Sequence, residues 1–138
     1  MPTIKINTGD VTYDIQNEFG EQIGVIRFNP SDPDILKRAA EIERWFNETT
    51  VDEDMTEEQF YQFTDGIKEQ LDKFCNRPIS EELFKVCNPM SIMADGSYYF
   101  ANVIKVILDI VYTETKKRMK ASEKRVKKAV AEIIGDNE

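Results

Sequence analysis

The spacing of apolar residues changes near residue 30, and this change constrains the fold more than any other feature of the chain. Before it, apolar and polar residues alternate in three short segments, at 3–7, 11–16 and 22–28. Alternation with a period of two is typical of half-buried β-strands, and glycine-containing turn sequences separate the three segments. We therefore predict a small antiparallel meander, which needs helices packed on its apolar face to be stable.

After residue 33 the apolar residues recur every three to four positions, which indicates amphipathic helices. A first helix is predicted over 33–47, and a second, begun by a capping box at Thr56, over 57–74. A short helix that Ser80 can cap follows, and then a long helix over 98–134. The sequence thus predicts an α+β fold that is predominantly helical, with three to four helices, a small N-terminal antiparallel β-sheet and a long charged C-terminal helix.

The last predicted helix changes character halfway along its length. It is rich in apolar residues up to about residue 112, whereas the residues from 113 to 128 are nearly all polar. A helix with no apolar stripe has little to bury against a core. We therefore predict one globular domain over 1–112, made of the meander at 1–29 and helices at 33–112, and a charged helical extension over 113–138.

Charge is distributed unevenly along the chain. The net charge is −8, yet residues 105–138 carry nine basic and six acidic side chains, against nine basic and twenty acidic in residues 1–104. An acidic body with a basic tail can fold back on itself or pair with a neighbouring copy, so a homo-oligomer is one expectation. The tail lacks aromatic residues for stacking on bases, and the acidic body would repel a duplex, so nucleic acid is not the favoured partner.

The residue types for catalysis and metal binding are scarce. The chain has no histidine, which is the commonest general base and metal ligand. Cys75 and Cys87 do not form a CxxC pair, and the serines have no histidine to activate them. The acidic run at 52–58 lacks the alternating ligands and central glycine of an EF-hand loop. We therefore predict a non-enzymatic protein without a metal or cofactor.

The sequence also carries an expectation about location. It begins without an apolar leader, and no apolar run reaches the roughly 18–20 residues of a membrane span. We therefore expect a cytoplasmic protein that does not enter a membrane. In that compartment, Cys75 and Cys87 are expected to be free thiols.

Two segments are candidates for binding a partner protein. The first, at 88–100, is unusually apolar for a loop, so it either forms an adaptable binding patch or covers one end of the core. The second is a basic run with eight positive charges in residues 116–128, which either contacts an acidic partner or is a solvated helix face. The candidate side chains are Met90, Met93, Tyr98, Tyr99 and Phe100 in the first segment and Lys116, Lys117, Arg118, Lys120, Lys124 and Arg125 in the second.

Several short motifs, in this order, resemble a known family. They are GVIRFNPSD at 24–32, WFN at 45–47, IKEQLD at 67–72, CNPMS at 87–91 and DGSYYF at 95–100, followed by an apolar helix and a lysine-rich C-terminal segment. This arrangement resembles the small tail assembly chaperone-like proteins encoded by tailed phages and prophages of Gram-positive bacteria. The resemblance covers most of the chain and rests on architecture together with short motifs.

The resemblance implies a function in the bacterial host cytoplasm. Such a chaperone would bind the long helical tape-measure protein and tail-tube subunits during tail assembly, and would be absent from the finished particle. Two alternatives stay open at this point. One is a structural tail or head–tail connector subunit that assembles into rings, and the other is a small regulator that binds nucleic acid through residues 116–128.

Overall fold

The computed structural model describes residues 1–49 and 54–136, and its sheet is an antiparallel hairpin. Strand β1 (Val11–Gln16) pairs with strand β2 (Gln22–Phe28), in a register that places Tyr13 opposite Ile26. The connecting turn is closed by Asn17, whose side-chain Oδ1 accepts hydrogen bonds from the backbone N–H groups of Phe19 and Glu21 at 3.0 Å each. Two of the three predicted strands are thereby confirmed, with the predicted boundaries.

The third predicted strand, at 3–7, was wrong. Residues 1–10 form no strand, and Ile4 and Ile6 are 84% and 80% exposed. Contacts at Thr8 and Gly9 explain the difference. Asn29 Nδ2 donates to Thr8 O at 3.1 Å, and Arg118 Nη2 donates to Gly9 O at 3.0 Å. These bonds hold the chain beside the end of β2, so residues 3–7 do not turn back along β1.

The predicted helical organisation is confirmed among the described residues. Four helices follow the hairpin: α1 (Asp34–Glu48), α2 (Glu57–Cys75), α3 (Ser80–Leu83) and α4 (Tyr99–Asp136). The capping box at the start of α2 is formed as predicted. Gln59 N donates to Thr56 Oγ1 at 3.1 Å, and Thr56 N donates to Gln59 Oε1 at 3.0 Å. The fold is α+β, with the small sheet at its N-terminal end and the long helix at its C-terminal end.

Ser80 does not cap α3, contrary to the prediction. The N-cap position is Ile79, and Ser80 is the first residue of the helix. Its backbone N–H and its hydroxyl both donate to the carboxylate of Asp72 in α2, each at 2.8 Å. A side chain from another helix therefore satisfies the exposed amide at the start of α3.

The core forms where the inner face of the sheet meets the apolar stripes of the helices. Aromatic contacts join the elements. The ring centroids of Phe46 in α1 and Phe100 in α4 are 5.3 Å apart, and Trp45 of α1 stacks on Phe63 of α2 with ring centroids 5.7 Å apart. The buried apolar residues are Ile26, Phe28, Ile35, Ile42, Phe63, Ile67, Leu71, Phe74, Cys75, Ile79, Leu83, Phe84, Phe100, Val103, Ile107 and Val111.

Helix α4 leaves the core in stages. Val111 is its last buried apolar residue, close to the predicted boundary. Contacts continue for two further turns, because Thr115 Oγ1 donates to Pro30 O at 3.3 Å and Arg118 Nη1 donates to Asn29 Oδ1 at 3.2 Å. From Met119 to residue 135 every side chain is exposed. The charged extension is thus a continuous part of α4, and Thr115 and Arg118 bond its first turns to the body of the protein.

Candidate protein-binding groove

An open apolar groove lies between the hairpin, α3 and the first half of α4. Its volume is about 550 Å³. Gln16, Asn17, Glu18 and Asn102 provide its polar side chains, with Tyr99 at its wall. The apolar residues that line it are Ile15, Ile23, Ile26, Leu83, Val86, Met93, Val103, Val106, Ile107 and Ile110. We call this feature the hairpin groove.

One wall of the hairpin groove is the loop before α4, which is held by backbone bonds. Met93 N donates to Ser97 O at 2.7 Å, and Ile92 and Tyr98 form an isolated antiparallel bridge. Gly96 closes the turn with a φ of 87°, a conformation that glycine adopts without strain. The hydroxyl and the backbone N–H of Ser97 both donate to the Asp95 carboxylate, and these bonds hold the pKa of Asp95 below its ordinary value of 3.8.

Tyr99 fixes this loop to α3. Its hydroxyl donates to Leu83 O at 2.8 Å, and its ring meets Phe84 edge-on with centroids 5.7 Å apart. Burial raises the pKa of the Tyr99 hydroxyl above its ordinary value of 10.0, and the nearby Cys87 acts in the same direction. Tyr99 therefore links the start of α4 to α3, two of the elements that form the groove.

Helix α3 closes the outer edge of β2 and forms the opposite wall. Glu82 Oε2 accepts the backbone N–H of Val25 at 3.1 Å and the Lys85 ammonium at 2.9 Å. The hydrogen bond from Lys85, followed by that from Val25, lowers the pKa of Glu82 below its ordinary 4.5. Gly24 permits the close approach, since a Cβ there would lie 3.1 Å from Glu82 O. The outer edge of β2 is thereby occupied.

The structure separates the five candidate residues of segment 88–100. Met93 and Tyr99 line the hairpin groove. Phe100 is buried against Phe46, and Met90 packs partly buried against the core. Tyr98 is 39% exposed and stacks on Phe100 at 6.0 Å, away from the groove. The segment is therefore partly core cover and partly groove wall, and its binding of a partner stays a prediction.

The basic candidates also divide into two groups. Lys116, Lys117, Lys120, Lys124 and Arg125 are exposed along α4. Arg118 is half-buried instead, with its guanidinium bonded to Asn29 Oδ1 and Gly9 O and 4.0 Å from Glu114. Arg118 thus belongs to the body of the protein and fixes the chain ahead of β1.

Groups with inherent reactivity are few in the described part of the chain. There, no three His, Cys, Asp or Glu side chains gather as a metal site would require. Cys75 and Cys87 are free thiols, and burial raises the pKa of Cys75 to about 12. Across the same residues, no helix has the length and apolarity of a membrane span.

Two exposed valines that line the groove were not among the candidate site residues predicted from the sequence. Val86 follows α3 and is 49% exposed at the groove, and Val106 is exposed on α4. Both stand in ordinary apolar runs, so only their position in the fold distinguishes them.

Comparisons of the chain with protein-family models, with curated proteins and with solved structures find no match.

Proposed function

We propose that this protein is a non-enzymatic assembly chaperone of the phage-tail type, which binds an apolar helical segment of a partner protein. The observation that carries the proposal is the hairpin groove, an open channel whose walls are mainly apolar side chains. Grooves of this kind bind amphipathic helices by accepting apolar residues spaced three to four apart. The motifs that resemble tail assembly chaperones point to the tape-measure protein as that helical partner.

The construction of the groove supports this function. Its walls are held by fixed contacts, such as the Tyr99 hydroxyl on Leu83 O at 2.8 Å, so a binding surface is formed before the partner arrives. A preformed surface loses less conformational entropy on binding. Val86 and Met93 border the opening, and a methionine side chain adapts to different apolar shapes. Such a surface suits a chaperone that contacts several turns of one long helix.

The test is co-expression with the tape-measure protein of the neighbouring gene, with the soluble fraction of that protein as the readout. The wild-type chain is expected to keep it soluble. Val86→Asp places a charge at the groove and is expected to weaken binding roughly tenfold, since losing one apolar contact of the groove costs about 1–3 kcal/mol. If the tape-measure protein is equally soluble without this chain, the proposal fails.

Val126→Asp is the matched control, because it makes the same substitution at a 60% exposed valine outside the groove. It should retain the chaperone effect. Trp45 fluorescence during urea unfolding verifies that both variants fold. If Val86→Asp acts no differently from Val126→Asp, the groove is not the binding surface. If the chain binds DNA, and this binding falls steeply with salt and is lost when Lys116 and Lys117 are neutralised, the nucleic-acid alternative is favoured.

A further inference from the structure

The segment at 3–7, here called the arm, has the pattern of a strand but no strand partner among residues 1–49 and 54–136. Ile4 and Ile6 share one face, Lys5 lies between them, and both isoleucines are exposed by four-fifths or more. Two large aliphatic side chains on one face of an extended segment leave considerable apolar surface in water. The arm would be stabilised by a strand edge and an apolar surface against which Ile4 and Ile6 could pack.

The outer edge of β1 offers such a surface. Val25 N–H points away from β1 to Glu82, so its neighbours Gly24 and Ile26 are the β2 residues that bond to β1. In an antiparallel pair, alternate residues bond to the partner strand, and the others direct their N–H and C=O groups outward. The outward set on β1 is Thr12, Asp14 and Gln16, whose edge is unpaired among the residues that the structure describes.

A shallow depression of about 310 Å³ runs alongside this edge, between β1 and α4. Its lining comprises Tyr13, Val106, Asp109, Ile110, Thr113 and Glu114. Within the described residues, Tyr13 Oη is the buried side-chain polar atom without a hydrogen-bond partner. Buried hydroxyl groups are normally bonded, so the depression has both apolar surface and an unmet polar group.

The arm of the same chain does not reach this edge. Thr8 and Gly9 are bonded to Asn29 and Arg118, beside the end of β2. Gly9 has a φ of 77° and its backbone N–H donates to Asn7 Oδ1 at 2.9 Å, so the chain turns here without pairing residues 3–7 to β1. A second copy of the chain has the same unpaired edge and the same arm. The arm of each copy can therefore pair with the edge of the other.

We propose that the arm of one copy adds as a third strand to the outer edge of β1 in a second copy. Ile4 and Ile6 then face α4 of that copy and cover the depression, while Lys5 faces solvent. The outward N–H and C=O groups of β1 gain partners, as in other cases of strand addition. Reciprocal exchange of two arms gives a closed dimer. The depression shares Val106 and Ile110 with the hairpin groove but does not include Val86.

The first test is the mass of the full chain by sedimentation equilibrium over a wide range of concentration. Wild type is expected at twice the 16.0 kDa of one chain. The double variant Ile4→Asp/Ile6→Asp is expected to sediment as a monomer, because the charges would enter the depression. Lys5→Asp is the matched control, and it should remain dimeric since residue 5 lies on the opposite face.

The second test is hydrogen exchange, which locates the contact. The backbone amides of Thr12, Asp14 and Gln16 are expected to exchange at least tenfold more slowly in wild type than in Ile4→Asp/Ile6→Asp. A monomeric wild type at all concentrations would overturn the proposal. A double variant that stays dimeric, or edge amides that exchange equally fast in both proteins, would overturn it as well. Val86→Asp should leave the mass unchanged, so this test is separate from that of the chaperone function.

Discussion

Asp72→Ala tests how α3 is held against α2. Asp72 accepts two hydrogen bonds from Ser80, one from the backbone N–H and one from the hydroxyl, both at 2.8 Å. Ser80 is 8% exposed, so water cannot readily replace the carboxylate. The variant would leave a buried amide and a buried hydroxyl without an acceptor. Because α3 carries Leu83, whose carbonyl binds Tyr99, the loss would also loosen one wall of the hairpin groove.

The magnitude follows from the two bonds. A hydrogen bond to a charged group contributes about 1.5–3 kcal/mol, and an unsatisfied buried donor costs about 1–3 kcal/mol. Since Asp72 itself is only partly buried, we expect a total loss of about 2–4 kcal/mol in the free energy of unfolding. For a chain of this size that corresponds to a fall in Tm of roughly 10 °C. Asp72→Asn keeps one acceptor oxygen and should lose about half as much.

The assay is urea unfolding followed by the fluorescence of Trp45, the single tryptophan of the chain. A shift of the midpoint without a change of slope would show a pure loss of stability. Ser80→Ala completes a double-mutant cycle with Asp72→Ala, and a coupling energy of about 1 kcal/mol is expected. A loss below about 0.5 kcal/mol for Asp72→Ala would refute the reasoning that this carboxylate holds the start of α3.

Two further predictions concern titratable groups. Because burial raises the pKa of Cys75 to about 12, a thiol reagent should modify Cys87 alone in the folded protein and both cysteines in urea, and Cys87→Ser should abolish the native reaction. The hydrogen bond from Arg38 at 2.9 Å lowers the pKa of Asp32 below its ordinary 3.8. The stability that this pair contributes is therefore present above pH 4 and lost as pH falls through the lowered pKa. Urea midpoints measured at decreasing pH should fall less for Asp32→Asn than for wild type.

Local patterns were sufficient for most of the secondary structure. The helices follow from apolar stripes with a spacing of three to four, and Thr56 identified the start of α2 because a capping box involves residues three apart. The strands at 11–16 and 22–28 follow from alternation and a turn between them. These signals are contained within a few neighbouring residues, so the local sequence is enough to predict these elements.

The errors arose where distant residues decide. Residues 3–7 have strand alternation, but Arg118, 109 positions beyond Gly9, directs the chain away from the sheet. Ser80 has the residue type of an N-cap, but Asp72 is placed by the packing of α2 to take that role. Arg118 stood in a basic run like its neighbours, and only the face of α4 on which it lies separates it from them. Tertiary contacts of this kind override local preference.

Only part of the hairpin groove could be predicted from the sequence, for a related reason. The apolar segment at 88–100 predicted either a binding patch or core cover, and the fold places Met93 in the wall of the groove and Phe100 in the core. Apolar side chains of one segment therefore lie in different parts of the fold. Val86, which borders the groove, carries no residue-type signal at all.

The bond between Arg118 and Gly9 has a consequence for the order of events during synthesis. Ribosomes make the residues ahead of β1 early and residue 118 late, so Asn29 can bond to Thr8 long before Arg118 can bond to Gly9. The second of these two contacts therefore forms only when each chain is nearly complete. If the bond from Arg118 is needed to direct the arm, the arm exchange that we propose takes place between nearly complete chains, and its rate should depend on their concentration.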